Sequence, residues 1–298
     1  MASTSPGQQL SIVVAASHGA SLLERCLFSL EKQAAPDNVE VVVVSNYDAG
    51  EVLARFSSAR YIAAPKGTMV PMLRTLGIRA SHGDVVALSE DNVVFDPAWS
   101  EALIQAHAAG HRVVGGAVEN LSLKPLDWAV YLYEYGRYMP PNDSGRTATL
   151  AGNNVSYARP VLAETEDLYR DGFFEAFLHP ELQRRGFELY LEPAAIVYHT
   201  KRHRMVDVLW QCFHHGRGYA GMRVASRKPL LRFAMGLGAL ALPVLLPGRI
   251  AAGTLRKKRH TADLYRALPH LTLFMSAWAF GELLGYVAGA GASARKWN

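Results

Sequence analysis

The sequence predicts an α/β domain, a mostly parallel sheet flanked by helices, followed by a hydrophobic helical tail. Three observations predict it. Short apolar, β-branched runs alternate with stretches in which leucines recur at helical spacing. Each apolar run ends in small or polar residues, and residues 229–298 hold two apolar segments separated by a basic run. Repeated strand and helix units of this kind bury a parallel sheet under helices.

The first run, Leu10 to Ala16 (LSIVVAA), reads as a buried strand broken by Ser17, His18 and Gly19. Ser21 to Gln33 then places Leu22, Leu23, Cys26, Leu27 and Leu30 at helical spacing, with Ser21 and Glu24 predicting a capping box. A second strand, Val39 to Val44, ends at Ser45, Asn46 and Tyr47. A helix over Val70 to Ala80 and a turn at Ser81 to Gly83 lead into a third, Asp84 to Leu88. Ser89, Glu90 and Asp91 follow it at once, and in open α/β sheets ligands sit outside the carboxyl ends of the strands. Two adjacent carboxylates there are functional candidates, although an arbitrary acidic pair is more often a solvated turn or a cap.

Arg112 to Val118 reads as a further strand with Gly115 and Gly116 inside it, and Pro125 to Pro141, rich in Trp, Tyr and Leu, as a helix or a lid. Gly152, Asn153 and Asn154 are the small and amide residues that let a backbone approach a ligand closely. In the tail, Phe233 to Leu246 carries Pro243 and is followed by Pro247 and Arg249. If it spanned a bilayer, Arg256, Lys257, Lys258 and Arg259 would face away from the N-terminal domain, against the tendency of positive loops to stay cytoplasmic. A re-entrant or in-plane segment is therefore expected. Leu271 to Ala292 is long enough to span, with Glu282 inside it; the alternative is a buried helical pair in which Glu282 finds a polar partner. These readings divide the chain into 1–228 and 229–298.

Composition narrows the partners. The chain has 298 residues, half of them hydrophobic, enough for one large core. A net charge of +5 suits phosphate-bearing ligands or an anionic membrane surface and is too mild to imply nucleic acid. Cys26 and Cys212, the two cysteines, have neither disulfide-framework nor zinc spacing, which fits a reducing compartment. Met1 to Leu10 is polar and lacks the apolar core of a signal peptide, so the N-terminal domain is expected in the cytoplasm.

Together, these stations resemble a family 2 glycosyltransferase of the GT-A fold, from about Leu10 to about Ala220, and the tail resembles its membrane-attached members. Arg74 to Ile78 with Ala80 to Asp84 is similar to the helix and turn before the family's metal-binding strand, and Ser89-Glu90-Asp91 stands where its aspartate-rich metal motif lies. Gly152-Asn153-Asn154 resembles the loop that closes over the donor. Gly172-Phe173-Phe174-Glu175, the helix to Gly186 and Pro193 to His199 resemble the segment bearing the catalytic base and a terminal histidine.

The resemblance implies direct displacement with inversion, from a nucleotide-sugar donor to a glycan or lipid-linked acceptor. It assigns Glu175 as catalytic base, Asp91 and His199 as ligands of Mg2+ or Mn2+, and Ala15, Ser17, Ser45, Asn46, Arg74, Glu90, Gly152 and Asn153 as the donor side. Each residue type suits its task. The leaving diphosphate needs a hard cation held by oxygen ligands, and the acceptor hydroxyl needs a carboxylate within hydrogen-bond reach. Glu181, the rival base, falls inside the helix that follows.

Departures from the family pattern are Ser89 for the first metal-motif aspartate, Ser45 and Asn46 for the base- and ribose-binding aspartates, and Glu175 for the commoner Asp. Lys201, Arg202, His203, Arg204, His214, His215, Arg217 and Arg223 are expected to meet phosphates or anionic headgroups. Residues 229–298 are expected to attach the chain to the cytoplasmic face of the inner or plasma membrane. Two alternatives remain. A nucleotidyltransferase of similar fold is disfavoured by Ala15-Ala16-Ser17-His18-Gly19, which lacks a Lys- or Arg-bearing glycine-rich phosphate loop. A non-catalytic scaffold, suggested by Ser89, is disfavoured by Asp91, Glu175 and His199.

Overall fold

The computed structural model describes residues 9–33, 39–224 and 229–295. The segment expected to lack a signal peptide lies largely outside the described residues, as do residues 225–228 next to the expected division. The chain forms two compact units: Met1–Leu121 with Tyr138–Lys201, and Ser122–Arg137 with Arg202–Asn298.

The first unit is built on a nine-stranded sheet. Its strands are β1 (Leu10–Ala16), β2 (Val39–Ser45), β3 (Ala59–Ala63), β4 (Val85–Glu90), β5 (Val93–Phe95), β6 (Val113–Asn120), β7 (Gly145–Thr147), β8 (Val155–Ala158) and β9 (Leu189–His199). The order is β3-β2-β1-β4-β8-β6-β9-β5, with β7 pairing β9. β3, β2, β1 and β4 all run parallel, and the apolar runs of β1 and β4 and the second half of β2 are buried because helices cover such a sheet. β8 is antiparallel to both neighbours, β4 and β6, whereas β6 and β9 pair in parallel. The sheet is thus mixed, with a wholly parallel half on the β1 side.

Helices α1 (Ala20–Leu30), α2 (Gly50–Leu53), α3 (Val70–Ala80) and α4 (Trp99–Ala108) fall in the first half of this unit. The expected capping box is absent. Gly19 turns the chain with φ 107, so α1 starts at Ala20 and Ser21 sits two positions past the N-cap, too deep to cap; no side-chain cap forms. α3 spans the predicted residues, and Gly77 lets it approach β1, since a Cβ there would lie 2.2 Å from a methyl of Val13.

The pairing of β6 and β9 shifts register between Gly116 and Ala117. A Cβ on Gly116 would lie 1.7 Å from the Ala195 carbonyl oxygen. Asn154 fastens this irregularity: its Nδ2 donates to the Ala117 and Ala195 carbonyls, both at 2.8 Å, and its Oδ1 accepts from Trp99 Nε1 at 2.8 Å.

The first unit also contains the helices α6 (Arg159–Glu164) and α7 (Glu175–Arg184). The second unit is helical: α5 (Pro125–Glu134), α8 (Met205–Arg223), α9 (Pro229–Ala239), α10 (Leu242–Arg256) and α11 (Thr261–Ala288). The first part of the aromatic stretch, Pro125–Glu134, is therefore a helix, with Trp128 and Tyr131 buried. The boundary at 228/229 differs from this division, because α5 and α8 pack with the tail. Glycines make that packing close. Cβ atoms on Gly216 and Gly281 would lie 2.3 and 2.2 Å from the carbonyl oxygens of Trp278 and Phe213.

Within this unit, part of the predicted phosphate-binding cluster is spent on structure. Arg217 Nε donates to the Gly289 carbonyl at 3.2 Å, at the end of α11, and Arg223 to the Tyr286 hydroxyl at 3.2 Å. The His203 backbone N–H donates to buried Asp127 at 2.8 Å. Glu282 is buried and accepts from Trp278 Nε1 at 2.7 Å, the polar partner anticipated for it. Among the described residues α11 is the one helix long and apolar enough to cross a bilayer, and it covers Thr261–Ala288 rather than Leu271 to Ala292. Leu230–Ala239 and Leu242–Arg256 pass that test only as a pair, bent by 52°.

Candidate active site

The site grows from the carboxyl ends of parallel strands. Ala15 pairs with Val44 on one side and Glu90 on the other, and Ala16 with Ser45, so the residues that follow are neighbours. Ala15 itself is core, and its carbonyl accepts the Asp91 N–H at 3.3 Å. Ser45 Oγ donates to the Tyr47 carbonyl at 2.7 Å, and Asn46 Nδ2 to the Thr68 carbonyl at 2.8 Å. These two side chains shape the loop after β2.

Asp91 is fully buried, which a carboxylate tolerates only when donors replace its lost water. Its Oδ2 accepts the His18 backbone N–H at 2.8 Å and the Tyr47 hydroxyl at 3.2 Å, and its Oδ1 lies 2.6 Å from His18 Nδ1. Burial first, and then the Asp91 charge, push the Tyr47 phenol well above its ordinary value, so it stays protonated and donates. Ser17 Oγ lies 3.3 Å from the same His18 nitrogen. His18 and Tyr47 did not emerge from the sequence as site residues, yet each stands just beyond the end of a buried parallel strand, the place where ligand-facing groups are expected.

Arg74 connects the two acidic stations. Reaching from α3, it is almost fully buried, donating from one terminal nitrogen to Glu90 Oε1 at 2.7 Å and from the other to Glu175 Oε2 at 2.7 Å. Glu90 Oε2 also accepts from Asn92 Nδ2 at 3.0 Å. Residues 74, 90 and 175, from a helix, a strand end and a helix start, thus form one network around a single guanidinium.

Glu175 opens α7 and remains about one-third exposed. Burial favours the neutral form and so raises its pKa, but the Arg74 charge and the bonds from Arg74 and the backbone outweigh that, leaving its pKa below the ordinary value. Gly152 makes room for this carboxylate: a Cβ there would lie 2.4 Å from the Glu175 Cδ. Next to it, the Asn153 carbonyl accepts from Ser89 Oγ at 2.8 Å. The Asn153 side chain is buried, and among the described residues neither of its amide atoms has a hydrogen-bond partner. Buried amides are normally satisfied, so this one has capacity for a ligand or water. Behind α7, His179 Nε2 meets the Tyr157 hydroxyl at 2.7 Å, and burial lowers the His179 pKa to about 4. Glu181 pairs with Arg184 and Arg185, as a surface side chain does.

His199 ends β9 opposite Val93 and is buried. Among the described residues no three His, Cys, Asp or Glu side chains are grouped to hold an ion, so Asp91 and His199 do not form a protein-only cage. The donor chemistry still fits a cation shared with a ligand. Asp91 supplies hard carboxylate oxygens, and Mg2+ is commonly held by one or two carboxylates with substrate phosphates and water completing its shell.

A family model described as "Glycosyltransferase like family 2" matches residues 6–218. Among solved structures, the fold is similar to that of the mannosyltransferase PcManGT from Pyrobaculum calidifontis, solved in complex with GDP-Man and Mn2+. The TM-score is 0.54 at 16% identity, over 97% of this chain and 87% of that one. A search of curated proteins returned no match.

Proposed function

The chain belongs to glycosyltransferase-like family 2 and so transfers a sugar from a nucleotide-sugar donor; from that premise we propose that it does so with inversion, onto a glycan or lipid-linked acceptor at a membrane. The observation that carries the site assignment is buried Arg74, which joins Glu90 and Glu175.

In this reading Glu175 takes the proton of the acceptor hydroxyl as that oxygen attacks the anomeric carbon. Arg74 keeps Glu175 ionised at neutral pH, and a carboxylate so held is a weak base. Proton transfer therefore accompanies carbon–oxygen bond formation rather than preceding it. One base suffices for direct displacement, with no sugar bound covalently to the enzyme. Asn153 contributes its unsatisfied amide to the donor, and the Gly152 backbone leaves Glu175 its working position.

Asp91, helped by His199, is assigned to a divalent cation shared with the donor diphosphate. The chemistry such a cation supplies is neutralisation of the leaving diphosphate. Charge supports this: among the described residues Glu90 and Glu175 share the single guanidinium of Arg74 and Asp91 faces His18, and a diphosphate adds further negative charge. The Mn2+ and GDP-Man of the similar mannosyltransferase support the same reading. Ala15, Ser17, Ser45 and Asn46 form the nucleotide side through their loops. The length and apolarity of α11, with the bent pair α9 and α10, support attachment to a membrane, which we place at its cytoplasmic face.

Thermal unfolding with a panel of nucleoside diphosphates, with and without Mn2+, tests the cation and donor assignment together. A metal-dependent rise for one nucleotide, absent in Asp91→Ala, is expected. An equal rise without metal, or in the variant, refutes the role of Asp91. Proton NMR of the first product formed reads the anomeric configuration and so decides inversion.

A further inference from the structure

Within the second unit, one buried carboxylate ties together the chain segments that lead into α5 and α8. Asp127, in the first turn of α5, accepts from the Ser122 hydroxyl at 2.6 Å through Oδ2 and from the His203 backbone N–H at 2.8 Å through Oδ1. His203 Nδ1 lies 3.2 Å from the same Oδ1, and Ser122 Oγ accepts the Lys124 N–H at 3.2 Å. A carboxylate kept from water needs such donors and holds them firmly. Residues 122–124 and 202–204 are therefore set in place together, with Lys124 and Arg204 as the N-cap residues of their helices.

This fastening leaves large apolar side chains in water. Leu123 is 93% exposed, Val206 71% and Trp210 56%. Val206, Trp210 and Phe213 follow at spacings of four and three residues, which is one face of α8. The Phe213 ring lies 5.8 Å from that of Phe280, itself exposed on α11. The apolar surface thus runs from the start of α8 onto the helix that is long and apolar enough to cross a bilayer. Lys124, Arg202 and Arg204 are exposed in the same two segments, whose one exposed carboxylate is Asp207, 3.9 Å from Arg204 Nε.

We propose that the segment before α5 and the start of α8 dock on an anionic bilayer surface: Leu123, Val206 and Trp210 enter the headgroup layer while Lys124, Arg202 and Arg204 meet lipid phosphates. Interfacial binding of this kind adds buried apolar area to attraction between cations and anionic lipid. Arginine and lysine suit it because their stems lie along apolar surface and their charged ends reach the headgroups, and a tryptophan prefers that depth. Because the apolar face continues onto Phe280 of α11, one occupant covers both, and on α11 that occupant is hydrocarbon. The inference rests on the proposed membrane attachment and adds a second contact to it.

Site-specific fluorescence on the full chain tests it. Cys26 and Cys212 are buried, so an introduced surface cysteine takes a polarity-sensitive label selectively. The label is placed in Leu123→Cys and, separately, in Phe280→Cys. Each protein is studied in detergent and in phosphatidylcholine vesicles with or without phosphatidylglycerol. Iodide quenches labels in water, and a spin label on the lipid chains quenches those in the bilayer. Arg202→Gln with Arg204→Gln is added to the Leu123→Cys protein, and thermal unfolding checks that every variant is folded.

In vesicles containing phosphatidylglycerol, the label at 123 should shift to the blue, become shielded from iodide and be quenched from the lipid. Without phosphatidylglycerol, or in the double arginine variant, lipid quenching at 123 should fall by roughly half or more, since each cation near the surface adds to the attraction. Lipid quenching at 280 but not at 123 overturns the docking surface while leaving membrane attachment intact. Quenching at neither position overturns the attachment itself and this inference with it. Equal quenching at 123 with and without phosphatidylglycerol refutes the part given to the cations. A blue shift already present in detergent that grows with protein concentration overturns the proposal in favour of a second copy of the chain covering the patch.

Discussion

The two units use their arginines differently. In the first, Arg74 is enclosed and donates to Glu90 and Glu175, so its charge is answered by carboxylates. In the second, Arg217 donates to the Gly289 carbonyl and Arg223 to the Tyr286 hydroxyl. A charge answered by carboxylates fixes acidic groups from distant segments at set positions and protonation states. An arginine bonded to neutral oxygens at the end of another helix joins the two helices instead. The same side-chain type thus positions acids in one region and fastens helices in the other.

The largest expected effect comes from breaking the chemistry of the first region while keeping its shape. Glu175→Gln retains a group that can accept from Arg74, so the fold should persist while turnover falls by about 10²–10⁴. Initial-rate kinetics with saturating donor measure it, and turnover within a few-fold of the parent would remove Glu175 as the base.

Arg74→Met tests whether the guanidinium positions and ionises its partners. Leaving Glu90 and Glu175 without it should lower stability by about 3 kcal/mol in urea titrations, the low end for a broken buried pair because Glu175 is partly solvated. The pKa of Glu175 should also rise, moving the acid limb of the rate profile to higher pH. In the parent, the depressed Glu175 pKa adds stability that is present above the unfolded value of about 4.3 and is lost as pH falls through the lower folded value. That increment should be missing in the variant.

Gly216→Ala perturbs only the second region, by forcing a Cβ toward the Trp278 carbonyl. A loss of about 1–3 kcal/mol is expected, read as a lower urea midpoint. An unchanged midpoint would mean that α8 and α11 do not need their close approach.

The smallest effect is a slope. Burial lowers His107 and His179 to about 4 from 6.5, so the unfolded chain binds more protons between those values. Stability should therefore fall as pH drops through that window and recover as it rises. Replacing both by Gln should flatten the dependence measured by chemical denaturation.

In the parallel half of the sheet β1, β2 and β4 were readable because their apolar runs are largely buried, whereas β3 (ARYIA), partly exposed along its length, was not. β1 spans Leu10–Ala16 as predicted, β2 gains only Ser45, and β4 runs on to Glu90. β5, β7 and β8, of three or four residues each, have no such run and exist through their partners on β9, β4 and β6. The site divides similarly. Glu90, Asp91 and Glu175 stand out as carboxylates at element ends, whereas their meeting at Arg74 depends on α3 and α7 being brought to one place. Hidden from the sequence were His18 and Tyr47, since a lone histidine or tyrosine after a strand has many ordinary explanations.

The bonds of Asn154 bear on how fast a donor can be captured. With its amide held by the Ala117 and Ala195 carbonyls and the Trp99 indole, the adjacent Gly152-Asn153 segment is anchored before any ligand arrives. A segment already in place has little conformational freedom left to lose on binding. Donor association at this part of the site should then show a single concentration-proportional phase in stopped-flow traces, without a slower, saturating step for loop ordering.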